Sequence, residues 1–144
     1  MKRTVAEILS AEGITWEPIN PPATEQEIEL LQRSVDFELP DEYIELLRFA
    51  NGGDGDLNAA PLMFVLSSIS YAIKHNEYLR EEEESTGFWF FGNNGGLEQI
   101  AFDLRNGPPW QIVAIDPVAG EESALIIANT MGDFILKMGH VHAN

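Results

Sequence analysis

Apolar residues recur at helical spacing in the first half of the chain. Thr24 opens a capping box with Glu27, and the apolar positions that follow predict a helix from Glu25 to about Ser34. A second helix is predicted to begin at Pro40 and to end at the Asn-Gly-Gly turn of residues 51–53. Because the link between the two is short, they are expected to form an antiparallel helical hairpin.

Two more helices follow from the same kind of pattern. Ser67 or Ser68 is expected to cap a middle helix whose inner side continues to Leu79. Asn129 or Thr130 is expected to cap a final helix near the end of the chain.

Short runs of β-prone residues, separated by tight turns, dominate the second half. The predicted strands are 62–66, 88–91, 97–104, 110–115 and 123–128. Strands joined by such turns pair in antiparallel fashion. The pattern therefore predicts an α+β fold with a mostly antiparallel sheet of about five to six strands. The N-terminal helical hairpin, the middle helix and the C-terminal helix are expected to pack on this sheet.

The 144 residues are expected to form a single domain. Residues 24–138 would hold its core, residues 1–23 a short helix and an extended proline-rich connector, and residues 139–144 a loose tail. Residues 51–58 are predicted to form a loop. Because no stretch has the pattern of a signal peptide or a membrane span and cysteine is absent, we expect a soluble, cytoplasmic protein.

Negative charge is the most pronounced feature of the composition. Twenty-four acidic and eight basic residues give a formal net charge of −16. Such a surface repels nucleic acid and anionic lipid, and it attracts basic partners. An acidic surface also serves solubility alone, so composition leaves both interpretations open.

No motif indicates catalysis or a bound metal. Residues 54–56 begin like a calcium loop, but the sixth and twelfth positions hold Ala59 and Val65 where glycine and glutamate are needed. His140 and His142 lack a third fixed ligand. We therefore predict a protein that is not an enzyme and holds no cofactor or metal. A small hydrolase with an acidic cleft is a remote alternative, which paired carboxylates of raised pKa in one pocket would favour.

Three motifs in order carry a resemblance to a known family. They are Leu39-Pro40 with Tyr43 and Asn51-Gly52-Gly53, then Phe91-Gly92-Asn93-Asn94-Gly95-Gly96 leading to Ile100-Ala101-Phe102-Asp103, and then Ile127-Ala128-Asn129-Thr130 running into Phe134-Ile135-Leu136. Together they resemble the SUKH superfamily, the family of the yeast cell-wall assembly regulator and of bacterial toxin immunity proteins.

The resemblance implies a non-catalytic immunity protein that neutralises a cognate bacterial toxin by occlusion. A basic toxin, for example a nuclease, fits the charge. The alternative is a regulatory protein-interaction adaptor without a toxin partner. The partner is expected to be a protein, and neither nucleic acid nor membrane is expected. Candidate contact residues are acidic or amide side chains in predicted turns and at a helix end: Asp54, Asp56, Glu81, Glu82, Glu83, Glu84, Asn93, Asn94 and Glu98.

Overall fold

The computed structural model describes residues 4–11, 14–80 and 87–139. The helices are α1 (Val5–Leu9), α2 (Glu25–Arg33), α3 (Asp41–Phe49), α4 (Ile69–Leu79) and α5 (Met131–Ile135). The strands are β1 (Glu17–Pro18), β2 (Gly53–Asp56), β3 (Met63–Leu66), β4 (Phe88–Asn93), β5 (Gln99–Asp103), β6 (Gln111–Ile115) and β7 (Leu125–Ala128). A short 3-10 helix, Glu121–Ser123, precedes β7.

All seven strands form one sheet in which each strand pairs with the next along the chain in antiparallel fashion. The predicted α+β class and antiparallel sheet are confirmed. The strand number is slightly higher than expected because two short strands, β1 and β2, precede the predicted ones. None of the helices in the described ranges is both long and apolar enough to cross a membrane.

The prediction that residues 51–58 form a loop is wrong, since β2 lies within them. The strand was missed because its glycines look like turn residues in the sequence. The Trp16 ring lies so close to β2 that a Cβ atom on Gly53 would be 2.6 Å from it. Glycine is therefore used here for the close approach of an aromatic ring, a role that glycine has in strands as well as in turns.

Side-chain caps start the helices where the sequence predicts them. The Thr24 hydroxyl accepts a hydrogen bond from the N–H of Glu27, and the Glu27 carboxylate accepts one from the N–H of Thr24. The Ser68 hydroxyl accepts from the N–H of Tyr71 at the start of α4, and the Thr130 hydroxyl accepts from the N–H of Asp133 at the start of α5. Each cap satisfies a backbone donor that has no partner inside its helix.

Helices α2 and α3 run antiparallel, as predicted. Glu25 at the start of α2 forms an ion pair of 2.9 Å with Arg48 at the end of α3. Glu27 in the first turn of α2 accepts a hydrogen bond from the side chain of Asn51, which follows α3. The start of α2 thus lies beside the end of α3, which fixes the hairpin.

Asn51 is the point where four segments meet. Its backbone N–H donates to the carbonyl of Pro21 in the connector, and its side-chain Oδ1 accepts from the N–H of Ile69 at the start of α4. Its Nδ2 donates to Glu27 of α2. The next residue, Gly52, has φ of +112°, which side chains disfavour. The Asn-Gly-Gly motif is therefore a structural junction.

Aromatic side chains fill the core on one face of the sheet. Tyr43 of α3 is fully buried, and its ring lies 5.4–5.9 Å from the rings of Trp89, Phe91 and Phe102. A smaller apolar cluster lies on the opposite face of the central strands, and it includes Phe90. The central strands are consequently buried on both faces.

A buried asparagine completes the sheet where β3 ends. β3 pairs with β4 only opposite Gly92 and Asn93, so Phe90 has no strand neighbour on that side. Asn76 of α4 fills the gap: its Oδ1 accepts from the N–H of Phe90 at 2.7 Å, and its Nδ2 donates to the carbonyl of Phe90 at 2.8 Å. The amide group makes the two hydrogen bonds that a neighbouring strand would make.

Candidate interaction surfaces

Two acidic surfaces of the molecule are candidates for contact with a partner. The first, here the sheet face, carries Asp54 and Asp56 of β2. The strand register places Asp54, Val65 and Asn93 in one row across three strands. Since directly opposite side chains project to the same side of a sheet, as do alternate residues of one strand, Asp54, Asp56 and Asn93 share a face.

Most predicted contact residues on and beside the sheet face already hold structural hydrogen bonds. Asn93 and Asn94 accept from backbone N–H groups of their own turn at 2.8 and 2.9 Å, and Asn94 donates to the Glu98 carboxylate at 3.0 Å. Asp56 accepts from the Thr15 hydroxyl at 3.1 Å. These side chains shape the β4–β5 turn and attach β2 to the preceding segment.

Asp54 differs from its neighbours because it lies opposite another acid. Its partner across the β1–β2 pair is Glu17, and like charges in directly opposite positions destabilise a sheet. The other predicted contact residues, Glu81, Glu82, Glu83 and Glu84, lie outside the described residues.

The second surface, here the link groove, was not foreseen from the sequence. Two adjoining hollows of about 690 and 490 Å³ flank residues 37–39, the link between α2 and α3. One hollow lies between α2 and α3, and the other lies between the link, the start of α3 and the turn of residues 108–110. The link groove comprises residues 37–42, Glu45 and residues 108–110.

An aromatic floor holds the link groove in shape. The Phe37 ring meets the Trp110 ring edge-on at 5.7 Å and the Trp89 ring at 6.3 Å. The indole N–H of Trp110 donates to the backbone carbonyl of Glu38 at 3.1 Å. The turn before β6 is thus fastened to the link, and the partly exposed Trp110 ring faces a fixed surface.

Carboxylates line the link groove. Four acids belong to it, and they are Glu38, Asp41, Glu42 and Glu45. The carboxylates of Glu38 and Asp41 form no hydrogen bond or ion pair with a side chain in the described part of the chain. These two acids therefore present negative charge that the described basic side chains leave without a direct partner.

The cation that borders the groove is already engaged. Arg48 donates to both carboxylate oxygens of Glu25, at 2.9 and 3.1 Å. This bidentate contact raises the pKa of Arg48 and lowers the pKa of Glu25, and the charge of Glu45 adds to the rise for Arg48. The guanidinium group is thus held at the edge of the groove by an acid outside it.

The described residues of the two surfaces lack a set of metal ligands, and the shifted pKa values belong to other residues, of which Arg48, paired with Glu25, borders the link groove. Among the described ranges, no three His, Asp or Glu side chains are placed to hold a metal ion. Burial raises the pKa of Tyr43 inside the core, and burial lowers the pKa of His75 on α4. Asp103 has a lowered pKa because Arg105 binds it at 2.8 Å in the turn that follows β5. None of these three side chains lines the two hollows of the link groove.

One signal for the link groove is present in the sequence. Residues 36–42 read Asp-Phe-Glu-Leu-Pro-Asp-Glu, so acids alternate with apolar residues just before a helix. Trp110 lies about seventy positions further on, and its contact with Glu38 depends on the packing of the turn before β6 against the link. Sequence spacing carries no information about that contact.

Comparison with known proteins shows which family the chain belongs to. No curated protein matches the chain at a significant level. The sequence model of the SMI1/KNR4 family (SUKH-1) matches residues 22–137, which include all three motifs and the whole link groove. The expected resemblance is confirmed: the chain belongs to the SMI1/KNR4 family (SUKH-1), a family of immunity and regulatory proteins that act through protein interaction.

Proposed function

We propose that this protein is a non-catalytic immunity protein that neutralises a basic toxin domain by covering the surface with which the toxin binds its target. The observation that supports this proposal is the acidic link groove on a chain of net charge −16. A toxin that cuts nucleic acid needs a basic groove for phosphates, and carboxylates compete for the same groove. Occlusion would then require no covalent chemistry.

Electrostatic attraction makes a kinetic prediction about this function. Opposite charges steer two proteins together, and salt screens the attraction over a Debye length of about 10 Å at 0.1 M and 3 Å at 1 M. The association rate of the immunity complex should therefore fall by about tenfold or more between these two salt concentrations. Dissociation should change less, because short-range contacts govern it.

The direct experiment uses the product of the gene adjacent to the one encoding this protein. The two proteins are co-expressed, the complex is purified, and association is measured by biolayer interferometry at both salt concentrations. We expect a basic partner, salt-sensitive association and loss of the partner's toxicity in the complex. A neighbour that is not basic, or that fails to bind, contradicts the proposal.

The same experiment separates this function from the two alternatives. Binding that leaves the activity of the neighbour unchanged would assign the chain to regulatory adaptors. Turnover of a glycoside or another substrate by the purified chain alone, abolished by a single carboxylate-to-amide change, would assign it to enzymes. Inhibition in proportion to the occupied fraction of the toxin supports occlusion.

A further inference from the structure

We propose that the link groove binds an extended basic segment of the partner, in which arginine or lysine residues alternate with apolar ones. This inference rests on the proposed function in taking the partner to be a basic protein. It names the surface and the form of the segment that occupies it. The competing surface is the sheet face.

Charge is the first argument for the link groove. The carboxylates of Glu38 and Asp41 bind no other described side chain, and Arg48 at the border of the groove is engaged by Glu25. Asp56 of the sheet face already accepts a hydrogen bond from Thr15. A basic segment that pairs with Glu38 and Asp41 therefore gains new ion pairs without breaking existing ones. At the sheet face it would compete with a hydrogen bond that holds the fold.

The apolar lining is the second argument, because it adds contacts that an acidic patch alone lacks. Phe37, the buried Leu39 and the partly exposed Trp110 line the same hollow as Glu38, Asp41 and Glu42. A guanidinium group can stack on the face of an indole ring while it pairs with a carboxylate. Apolar side chains between the basic ones would meet the link and the turn of residues 108–110. Large aromatic residues beside charge are typical of the residues that dominate binding energy.

The shape of the groove is the third argument. The two hollows share Phe37, Glu38, Leu39 and Asp41, so they adjoin each other on the two sides of the link. A chain in extended conformation presents alternate side chains in opposite directions. One set could then meet the carboxylates while the other meets the apolar lining.

Two other occupants fit less well. A second copy of this chain also carries a net charge of −16, so its approach to an acidic groove is repelled. The C-terminal residues 140–144 read His-Val-His-Ala-Asn and contain neither lysine nor arginine. A basic segment of a different protein is the occupant that complements the charge of the groove.

The experiment titrates a short fluorescein-labelled peptide of alternating arginine and leucine into the full chain, with peptides carrying glutamate for arginine or glycine for leucine as controls. Affinity is read by fluorescence anisotropy, and the position is read from backbone and indole N–H resonances by NMR. The variants are Glu38→Lys and Glu45→Lys in the groove. Glu122→Lys, an equal change of charge at an exposed position of the 3-10 helix, is the matched control.

The expected result is a shift of the Trp110 indole resonance and of the resonances of residues 37–42. Each groove variant should lower the affinity for the arginine–leucine peptide about tenfold, and the control variant should lower it less than about twofold. Both control peptides should bind more weakly than the arginine–leucine peptide. Circular dichroism of each variant establishes that it is folded.

Shifts confined to Asp54, Asp56 and Asn93 would overturn the inference in favour of the sheet face. If the groove variants and Glu122→Lys lower the affinity for the peptide equally, the inference is overturned in favour of attraction by the overall negative charge of the chain. If the cognate partner binds the groove variants as tightly as the native chain, the groove assignment fails and the proposed function stands. If the peptide binds the groove but the adjacent gene product does not bind, the proposed function fails instead.

Discussion

The side chain of Asn76 makes the hydrogen bonds to Phe90 that a neighbouring strand would make, and its replacement is the sharpest test of this fold. We predict that Asn76→Leu is strongly destabilising although leucine is similar in size and more apolar. Asn76 is 7% exposed, and its amide makes both hydrogen bonds to the backbone of Phe90. Leucine can make neither bond, so the N–H and the carbonyl of Phe90 would lose the partners that Asn76 provides.

The magnitude follows from the groups that lose their partners. The N–H and the carbonyl of Phe90 would both be left buried without a hydrogen bond. Each such group costs about 1–3 kcal/mol, so the predicted loss in the free energy of unfolding is about 2–6 kcal/mol. The carbonyl of Ala72 also loses its bond to Nδ2, but it lies in α4 and keeps its helical partner. A domain of ordinary stability, about 5–15 kcal/mol, would lose a large part of its total.

The assay is urea unfolding of the native chain, of Asn76→Leu and of Asn106→Leu, followed by far-ultraviolet circular dichroism. Asn106 is an exposed turn residue, so its replacement tests the general effect of changing asparagine to leucine. We expect a change of less than about 0.5 kcal/mol for Asn106→Leu. A loss of less than about 1 kcal/mol for Asn76→Leu would refute the reasoning, because the two backbone groups of Phe90 would then have other partners.

Three further changes test separate features of the structure. Gly52→Ala should destabilise by about 1–2 kcal/mol because φ of +112° is strained for alanine, whereas Gly107→Ala, which has open space around it, should be nearly neutral in the same urea assay. Tyr43→Phe should raise the free energy of unfolding by up to about 1 kcal/mol, since it removes a buried hydroxyl that has no hydrogen-bond partner. Arg105 lowers the pKa of Asp103 in the folded state. The contribution of Asp103 to stability is therefore fully present at pH values above its ordinary pKa of 3.8, and it is lost as the pH falls through the lower folded pKa. Asp103→Asn should reduce the dependence of stability on pH in that acid range.

The sequence was informative wherever local physics decides the structure. Thr24 and Glu27 form the predicted capping box, and the turn of residues 93–96 joins β4 to β5 as its asparagines and glycines require. Such features depend on hydrogen bonds between residues close in sequence. The antiparallel pairing of β4 to β7 then followed from connections too short for a crossover.

The sequence was misleading where a distant side chain decides the structure. Gly53 and Gly55 looked like turn residues, yet they form β2 because the Trp16 ring packs against them. The partner of that strand, β1, includes Pro18, and proline gives no positive signal for a strand. Nothing in the local pattern reveals that a tryptophan nearly forty positions away will lie on these glycines.

The link groove was missed for a related reason. Its acids are visible in residues 36–42, but the hollow beside residues 108–110 also depends on Trp110, which packs against Phe37 and donates to the carbonyl of Glu38. The predicted contact residues Asp54 and Asp56 share one sheet face, and their contact with a partner stays a prediction. Charge density alone could not rank these surfaces, because it does not show which carboxylates already hold the fold.

The family motifs and the proposed contact residues are subject to different physical constraints. Asn51 and Gly52 join segments of the core, and a change at either breaks buried hydrogen bonds or strains the backbone. The Glu38 carboxylate forms no hydrogen bond or ion pair with other described residues, so its replacement should lower the free energy of unfolding by less than about 0.5 kcal/mol. If the proposed groove binds the partner, specificity changes through exposed groove residues while the scaffold stays intact. Membership of the family thus indicates the fold, whereas the partner has to be identified by binding experiments.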